Sequence, residues 1–457
     1  MTRAVVPQYS RLVREENRNE EQLRRLLGTD ALAVAHSSIL IRGRLDSYAR
    51  SLCTRTLLDL VARLEPLVQE VGLDTANNAS VIGDLPERFP VKLDEVEHRK
   101  WDCTISVGES NGEDVLVDAN GWNAYLGKLG PQQDQQNPIG PLAAACLAAG
   151  EAFKHLLLAN FPDHPVSRRL VLARPLAFST LTYGAQEEDC PIGNFRVDAT
   201  LVGAGGIGAG LVQALAELPS EVEGQLRVVD NDVLKVENFN RHLYGRLSDL
   251  GTEPATPKVS AVSRALRACS RLNVDPVPTD FGTFKKRLNP RRAERRYPLV
   301  LTAVDNDEAR KEVQLELPRE IIDGATGVHS NCRIERIDFV SSECLGCRIA
   351  EQPQTASLVR DGGATAPEEC GRIAEAPAPS LPFLSAFPGI LMAGELIKGS
   401  LARTYALQGY FEHIFLYPPN PDNTAIPAKS PRCTIQCTAP SLIQAYHEKY
   451  PAHRSLS

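Results

Sequence analysis

The chain has 457 residues, of which 43% are hydrophobic and 23% are charged, and its formal net charge is −7. This length exceeds one ordinary hydrophobic core and predicts two or three domains. The negative charge and the lack of a long basic run argue against nucleic acid as a partner. The longest apolar stretch, residues 139–161, is interrupted by charged residues and the N-terminus has no signal-peptide core, so we expect a cytoplasmic protein without a membrane partner.

The first 190 residues contain two short segments that are similar to segments of the later chain. Residues 102–108 (DCTISVG) are similar to 198–203 (DATLVG), and residues 149–154 (AGEAFK) are similar to 393–398 (AGELIK). The first copy continues as Glu-Ser-Asn, without a glycine turn to hold a phosphate. The pattern predicts two related α/β halves, of which the second is the one that binds a phosphate.

A glycine-rich turn joins a predicted strand to a predicted helix near the middle of the chain. The run before the turn is apolar and β-branched, and the run after it repeats apolar residues at helical spacing. Gly203 allows a tight turn, Gly205 lets the backbone approach a phosphate, and Gly208 lets helix and strand pack closely. The next strand ends at Asp230, where a carboxylate accepts hydrogen bonds from a ribose. The turn alone fits a dehydrogenase equally well, and a tight turn without a ligand is the alternative.

The charged residues that follow favour chemistry at a nucleotide phosphate. Arg241 comes shortly after Asp230, Lys258 opens another helical pattern, and Asp305 ends a later strand. Three strand ends of one sheet would therefore meet at the ligand. Hydride transfer needs none of these charges, whereas displacement at an α-phosphate needs cations for the developing negative charge and a carboxylate for Mg²⁺. Arg241 and Lys258 suit the first role, and Asp305 suits the second.

Four of the eleven cysteines form two short-spaced pairs, Cys344 with Cys347 and Cys433 with Cys437. A closed tetrahedral Zn²⁺ site would join these pairs and tie the tail to the preceding domain. The second pair has three intervening residues in place of the usual two, which leaves loss of the site open. Six further cysteines lie in apolar or strand-like contexts and are predicted to be packing residues: Cys53, Cys103, Cys146, Cys190, Cys269 and Cys332.

Cys370 lies in a segment, residues 351–380, that is rich in Pro, Ala, Gly, Gln and Glu and predicts a long mobile loop. A cysteine on such a loop beside a nucleotide site is placed to act as a nucleophile toward a bound intermediate. The adjacent Glu368 and Glu369 disfavour its thiolate form. An incidental surface cysteine is the alternative.

In order and spacing, residues 195–440 resemble the ThiF and E1 superfamily, which adenylates the C-terminal glycine of ubiquitin-like or sulfur-carrier proteins. The matching stretches are 202–208, 230–232, 237–241, 257–258, 304–310, 323–327, 344–347 and 389–398. The resemblance implies a Rossmann-like, doubly wound α/β adenylation domain over 191–440, with a crossover loop at 351–382 that carries Cys370. Residues 1–190 are expected to form a degenerate adenylation-like half that packs as a pseudo-dimer with the active half, and residues 441–457 form a tail.

The resemblance also implies roles for individual residues. It assigns the phosphates, ribose and Mg²⁺ of ATP to a set of matching positions: Gly203, Gly205, Gly206, Gly208, Asp230, Asp232, Asn238, Arg241, Lys258 and Asp305. In dimers of this superfamily, an arginine from the first helix of one half reaches the ATP of the other. Residues 8–12 resemble that helix and nominate Arg11, whether it acts in its own chain or across a homodimer, and an ordinary exposed arginine is the alternative.

The sequence therefore predicts an E1-like activating enzyme, similar to the bacterial enzymes of ubiquitin-like antiphage operons. A ubiquitin-like protein would be adenylated with Mg-ATP, captured as a thioester on Cys370 and passed to an E2 cysteine. Since only 20 residues follow Cys437, a C-terminal ubiquitin-fold domain is not expected, and E2 would bind elsewhere. The alternatives are a sulfur-carrier adenylyltransferase of thiamine or molybdopterin type, an enzyme that adenylates a peptide or a tRNA base, and a non-catalytic nucleotide-binding scaffold.

Overall fold

The computed structural model describes residues 2–12, 18–27, 37–96, 100–131, 135–185, 187–218, 222–269, 271–289, 291, 295–327, 330–340, 342–351, 380–401, 405–417, 424–425 and 427–451. Within these residues the strands form two eight-stranded sheets, so the chain is a mixed α/β protein. The first sheet uses strands from residues 2–179 and the second uses strands from residues 195–425.

The first sheet has the order β4-β1-β3-β2-β5-β6-β7-β8. Its strands are β1 (Thr2–Pro7), β2 (Ser37–Gly43), β3 (Val68–Thr75), β4 (Val91–Val96), β5 (Cys103–Val107), β6 (Val115–Asn120), β7 (Asn123–Leu126) and β8 (Leu176–Ser179). The central strands β3, β2, β5 and β6 run parallel, whereas the strands at both edges are antiparallel.

The second sheet has the order β11-β10-β9-β12-β13-β14-β15-β16. Its strands are β9 (Phe195–Val202), β10 (Val222–Val229), β11 (Arg271–Val277), β12 (Val300–Thr302), β13 (Glu320–Thr326), β14 (Asn331–Asp338), β15 (Gly409–Ile414) and β16 (Thr424–Ala425). The strands from β11 to β13 are parallel and the remaining three are antiparallel.

Helices connect these strands and cover the sheets. They are α1 (Arg18–Leu27), α2 (Tyr48–Ala62), α3 (Asn78–Ile82), α4 (Leu85–Arg88), α5 (Ile139–Asn160), α6 (Gly206–Ala216), α7 (Lys258–Cys269), α8 (Phe281–Leu288), α9 (Asp307–Leu315), α10 (Leu345–Glu351), α11 (Pro382–Leu401) and α12 (Pro440–Lys449). Four of them, α2, α5, α11 and α6, pack against one another between the two sheets. A single buried core therefore contains residues of both halves, such as Ile39 and Leu201.

The two halves share one order of elements. The unit β2-α2-β3 has the same parallel arrangement as β9-α6-β10, and β7-α5-β8 corresponds to β14-α11-β15. The two similar segments AGEAFK and AGELIK lie on the equivalent helices α5 and α11, and each carries a buried Glu–Lys ion pair. This arrangement agrees with the predicted fold class of an adenylation-type half preceded by a related half.

The sequence similarity between residues 102–108 and 198–203 does not reflect structural equivalence of the two segments. Residues 103–107 form β5, which lies between β2 and β6 and therefore corresponds to β12. The strand equivalent to β9 is β2, the first parallel strand of its half. Both β2 and β5 are short, buried and followed or ended by glycine, so the local pattern does not distinguish them.

Helix α5 is long and apolar enough to cross a membrane, by length and composition, and among the described helices it alone meets both criteria. Its most apolar window is 83% buried inside the protein. Its burial against α2 and α11 explains the apolar composition, because a central helix is surrounded by other elements on all faces.

Candidate nucleotide-binding site

The glycine turn lies between β9, which ends at Val202, and α6, which begins at Gly206. Gly203 has a φ of +101°, and a Cβ there would come within 2.5 Å of the Ala303 carbonyl oxygen. A Cβ on Gly208 would overlap the Gly203 carbonyl. Gly205 differs, because a Cβ at this position would meet no atom within 4 Å. The backbone at Gly205 therefore faces open space at the N-terminus of α6, where a phosphate would find N–H donors and the positive end of the helix dipole.

Ala204 is held through both its backbone N–H and its carbonyl. Its N–H donates to Asp230 Oδ2 at 2.6 Å, and the other Asp230 oxygen accepts from the N–H of Asp232 at 2.7 Å. Its carbonyl lies 3.1 Å from Nε2 of the buried His242. Asp230 thus braces the glycine turn in addition to any contact with a ribose, and burial raises the pKa of its carboxyl group.

His242 is a site residue that the sequence analysis missed. The Gly245 N–H donates to His242 Nδ1 at 3.0 Å, so Nδ1 is an acceptor and Nε2 carries the proton that is donated to Ala204. Burial, together with the nearby Lys258 and Arg63, lowers the pKa of His242 to about 3, so the ring is neutral at pH 7. Its position directly after Arg241 was the one sequence signal that could have identified it.

The predicted cations lie around the same turn. Arg241 is half-buried, and its Cγ would be 3.2 Å from a Cβ placed on Gly206, so its side chain passes beside the first turn of α6. Lys258 opens α7, is buried, and places Nζ 2.6 Å from Asp232 Oδ2. Asn238 is also buried, and its Oδ1 accepts from the Lys235 N–H at 3.0 Å, which closes the short turn before Arg241.

Asp305 is exposed just beyond the end of β12. Strand β9 lies between β10 and β12, so the carboxyl ends that carry Asp230 and Asp305 flank the glycine turn. Arg310 Nη2 donates to the Val304 carbonyl at 2.5 Å and its Nε binds the buried Asp323 at 3.2 Å. Although burial alone would raise the pKa of Asp323, Arg348 and Arg310 lower it. This ion-pair group fixes the backbone beside Asp305.

The ThiF family matches residues 194–435, more than half of the chain. The chain belongs to the ThiF family. The resemblance expected from the sequence is therefore confirmed, and the second half has the adenylyltransferase-like ThiF fold.

The chain is also similar to individual proteins at lower levels of sequence identity. The uncharacterized protein y4jF of Sinorhizobium fredii (strain NBRC 101917 / NGR234) is 26% identical over 298 residues, which cover 63% of this chain and 55% of that protein. The chain thus spans about half the length of the curated relative that it matches. The solved structure of E. coli MccB with ATP has 12% identity and a TM-score of 0.37, and covers 72% of this chain and 98% of MccB. The structure of E. coli MccB with MccA-N7isoASN also has 12% identity, with a TM-score of 0.38. It covers 71% of this chain and 98% of MccB.

The ThiF half also contains the predicted four-cysteine cluster. The sulfurs of Cys344, Cys347, Cys433 and Cys437 all lie within 4.8 Å of one another, and every cysteine of the group is buried. Neighbouring Sγ atoms are separated by 3.4 to 3.6 Å. A tetrahedral Zn²⁺ with Zn–S bonds of about 2.3 Å needs S···S separations of about 3.8 Å, so the donor set fits this ion. Gln436, one of the three residues between Cys433 and Cys437, has a φ of +54°.

Two further predicted residues, Arg11 and Cys370, are not brought to the glycine turn by the described contacts. Arg11 is exposed on a 3-10 turn, where its Nη1 donates to Gln8 Oε1 at 3.1 Å. The neighbouring Tyr9 is buried and its hydroxyl donates to the Val236 carbonyl at 2.7 Å, so this turn contacts the segment before Arg241 in the same chain. Cys370 lies outside the described residues, as does most of the predicted crossover loop.

Of the six predicted packing cysteines, Cys53, Cys103, Cys146 and Cys332 are buried, Cys190 is half-buried, and the side chain of Cys269 lies outside the described set.

Proposed function

We propose that this ThiF-family chain adenylates the C-terminal carboxylate of a ubiquitin-like protein with Mg-ATP. The observation that carries the proposal is the open space at Gly205, with Arg241 passing beside the first turn of α6. A phosphate at this helix N-terminus would meet backbone N–H donors and a guanidinium from one direction. A dehydrogenase has no use for this arginine or for Lys258 and Asp305.

The proposed reaction is a displacement at the α-phosphorus. A carboxylate oxygen forms the new bond to phosphorus, the bond to the bridging oxygen of pyrophosphate breaks, and pyrophosphate leaves with the electron pair. Arg241 and Lys258 would stabilise the charge that builds on the phosphoryl oxygens. Lys258 is held ready by Asp232 at 2.6 Å. The exposed carboxylate of Asp305 is a hard oxygen donor of the kind that Mg²⁺ prefers, and it would supply the metal ligand.

The proposal extends to thioester formation on Cys370, which the superfamily resemblance supports. The thiolate would attack the acyl carbon of the adenylate, AMP would leave, and the acyl group would pass by thiol exchange to an E2 cysteine. We place this reaction in a bacterial ubiquitin-like antiviral conjugation pathway in the cytoplasm. Zinc in the four-cysteine cluster would have a structural role, since its four thiols fill a tetrahedral shell and leave no open position.

The test is a non-reducing intact mass of the protein after incubation with Mg-ATP and a small β-grasp protein. Cys370→Ala removes the proposed acceptor, and Cys190→Ala is the matched control because Cys190 is a half-buried cysteine. A thiol-labile adduct of one partner mass in the wild type and in Cys190→Ala, absent in Cys370→Ala, is the expected result.

Other outcomes select other functions. Release of AMP and pyrophosphate without an adduct indicates a sulfur-carrier or other adenylyltransferase. Nucleotide binding without turnover, unchanged by Asp305→Ala, indicates a scaffold and would overturn the enzymatic proposal.

A further inference from the structure

The segment that carries Arg241 is held by buried groups from the N-terminal half of the chain. Arg63, at the end of α2, is completely buried, and its Nη1 donates to the carbonyl of Phe239. Arg88, at the end of α4, donates from Nη1 to the carbonyl of Leu243 at 2.8 Å. These carbonyls lie two residues before and two residues after Arg241. The backbone of Arg241 is therefore held on both sides by guanidinium groups from the other half.

A single carboxylate joins the two arginines. Asp59 Oδ1 lies 2.7 Å from Arg63 Nε, and Asp59 Oδ2 lies 2.5 Å from Arg88 Nη1. Burial alone would raise the pKa of Asp59, but Arg63 and Arg88 lower it, so the carboxylate is charged. The Arg63 guanidinium also lies over the ring of Phe89 at 4.8 Å. Both arginines are thus held in place by groups of the N-terminal half in addition to their hydrogen bonds to the Arg241 segment.

Two more contacts from the same half extend this support. The Tyr9 hydroxyl donates to Val236, and its ring stacks on Phe89 at a centroid distance of 5.5 Å. The Asn240 amide donates to Asn19 Oδ1 at 2.9 Å, and Asn19 in turn donates to the carbonyls of Arg63 and Glu65 at 2.6 and 2.8 Å. Four separate groups of the N-terminal half therefore bind residues 236–243.

A contact in the opposite direction, from the end of α6, reaches the start of α2, where the turn after β2 lacks the glycine-rich sequence of residues 203–208. The end of α6 approaches the start of α2, where Glu217 accepts from the Tyr48 hydroxyl and pairs with Arg55 at 2.6 Å. There, Arg44 follows β2 where Gly203 follows β9. The guanidinium of Arg50 fills the space at Gly108 and binds Asp118 at 2.9 Å. Of these two helix-end contacts, the one from α2 is therefore the one that reaches a segment beside an intact glycine turn.

We propose that Asp59, Arg63 and Arg88 are positioning residues that hold Arg241 in place for the nucleotide before it binds. This inference rests on the proposed function. In it, the degenerate half supports residues 236–243, the segment that carries Arg241.

The experiment compares the full-length wild type with Arg88→Gln, Arg63→Lys and Tyr9→Phe. Arg50→Gln is the matched control, because Arg50 lies on α2, the helix that Arg63 caps, and is also buried and ion-paired, but contacts the first sheet. Tyr9→Phe removes one hydroxyl and keeps the ring stack, so it remains informative if an arginine variant fails to fold. The readouts are amide hydrogen exchange of residues 236–245 without nucleotide, the dissociation constant for ATP, and the KM values for ATP and for the carboxylate partner.

We expect exchange of the segment to rise and ATP affinity to fall by about tenfold in Arg88→Gln, the effect of one lost charge-assisted hydrogen bond. The KM for ATP should rise while the KM for the partner stays unchanged. Arg50→Gln should lower the melting temperature without changing exchange of the segment or ATP affinity.

Wild-type exchange and wild-type ATP affinity in both Arg88→Gln and Tyr9→Phe would overturn the inference. An equal loss of ATP affinity in Arg50→Gln would also overturn it, since general destabilisation would then explain the effect. If the wild type binds ATP but activates no carboxylate, the proposed function fails, whereas exchange and ATP affinity still decide this inference.

Discussion

Replacement of Gly205 by alanine separates nucleotide binding from folding. Gly205 has a φ of −76° and a ψ of −155°, which alanine tolerates, and its Cβ would enter open space. Folding stability should therefore change by less than about 1 kcal/mol, in the stabilising direction, because alanine restricts the unfolded chain. The new methyl group would stand between the backbone donors and a phosphate. Loss of one charged hydrogen bond, at about 1.5–3 kcal/mol, corresponds to a reduction in ATP affinity of about 10- to 100-fold.

Gly203→Ala is the contrasting variant. Its φ of +101° and the approach of its Cβ to 2.5 Å from the Ala303 oxygen combine backbone strain with a steric overlap. Strain of this kind costs about 1–3 kcal/mol before the overlap is added, so this variant should unfold at lower urea concentration. Urea unfolding and calorimetric titration with ATP measure the two effects independently. ATP binding by Gly205→Ala within twofold of the wild type would refute a phosphate site at this turn, whereas a loss of stability equal to that of Gly203→Ala would refute the open space at Gly205.

Three further measurements test other parts of the structure. Metal analysis of the purified chain should find about one zinc, which Cys437→Ser removes, and a metal-free wild type would contradict the site. Urea titrations should show the unfolding free energy falling as pH drops from about 6.5 towards 3, since burial lowers the pKa of His242 and of His413 to about 3 and the unfolded chain binds more protons in this range. Each histidine contributes a slope of about 1.4 kcal/mol per pH unit, so His413→Phe should halve the combined histidine contribution and an unchanged slope would contradict the assignment. Equilibrium dialysis should find about one nucleotide per chain, because Arg50 fills the space beside Gly108 at the start of α2 in the first half, and two bound nucleotides would contradict that account.

The parts of the site that could be predicted from sequence depend on local spacing. A strand, a glycine turn and a helix are encoded within a few residues, so the turn and the positions of Asp230 and Lys258 could be anticipated. The repeated AGE segment indicated the relation between the two halves for the same reason, since each copy lies within a single helix, α5 or α11. The cysteine pairs followed from ligand chemistry, which requires four donors regardless of their separation along the chain.

The parts that could not be predicted depend on contacts between distant residues. His242 braces Ala204 across 38 residues of chain, and Arg63 reaches Phe239 across 176. Nothing in a single sequence shows which buried arginine faces which carbonyl. The misalignment of residues 102–108 with 198–203 has a similar origin, because strand order within a sheet is a property of the fold and short apolar strands look alike.

Joining two related halves in one chain permits an asymmetry that identical subunits do not. Two identical subunits would carry the same residue after the first parallel strand of each sheet. Here Arg44 follows β2, whereas Gly203 follows β9. The first half can therefore place the buried Arg50–Asp118 ion pair beside the start of α2. Arg63, at the end of its α2 helix, still reaches the segment that carries Arg241 in the second half, through the Phe239 carbonyl. Loss of nucleotide chemistry in one half is thus physically compatible with its continued role in shaping the site of the other.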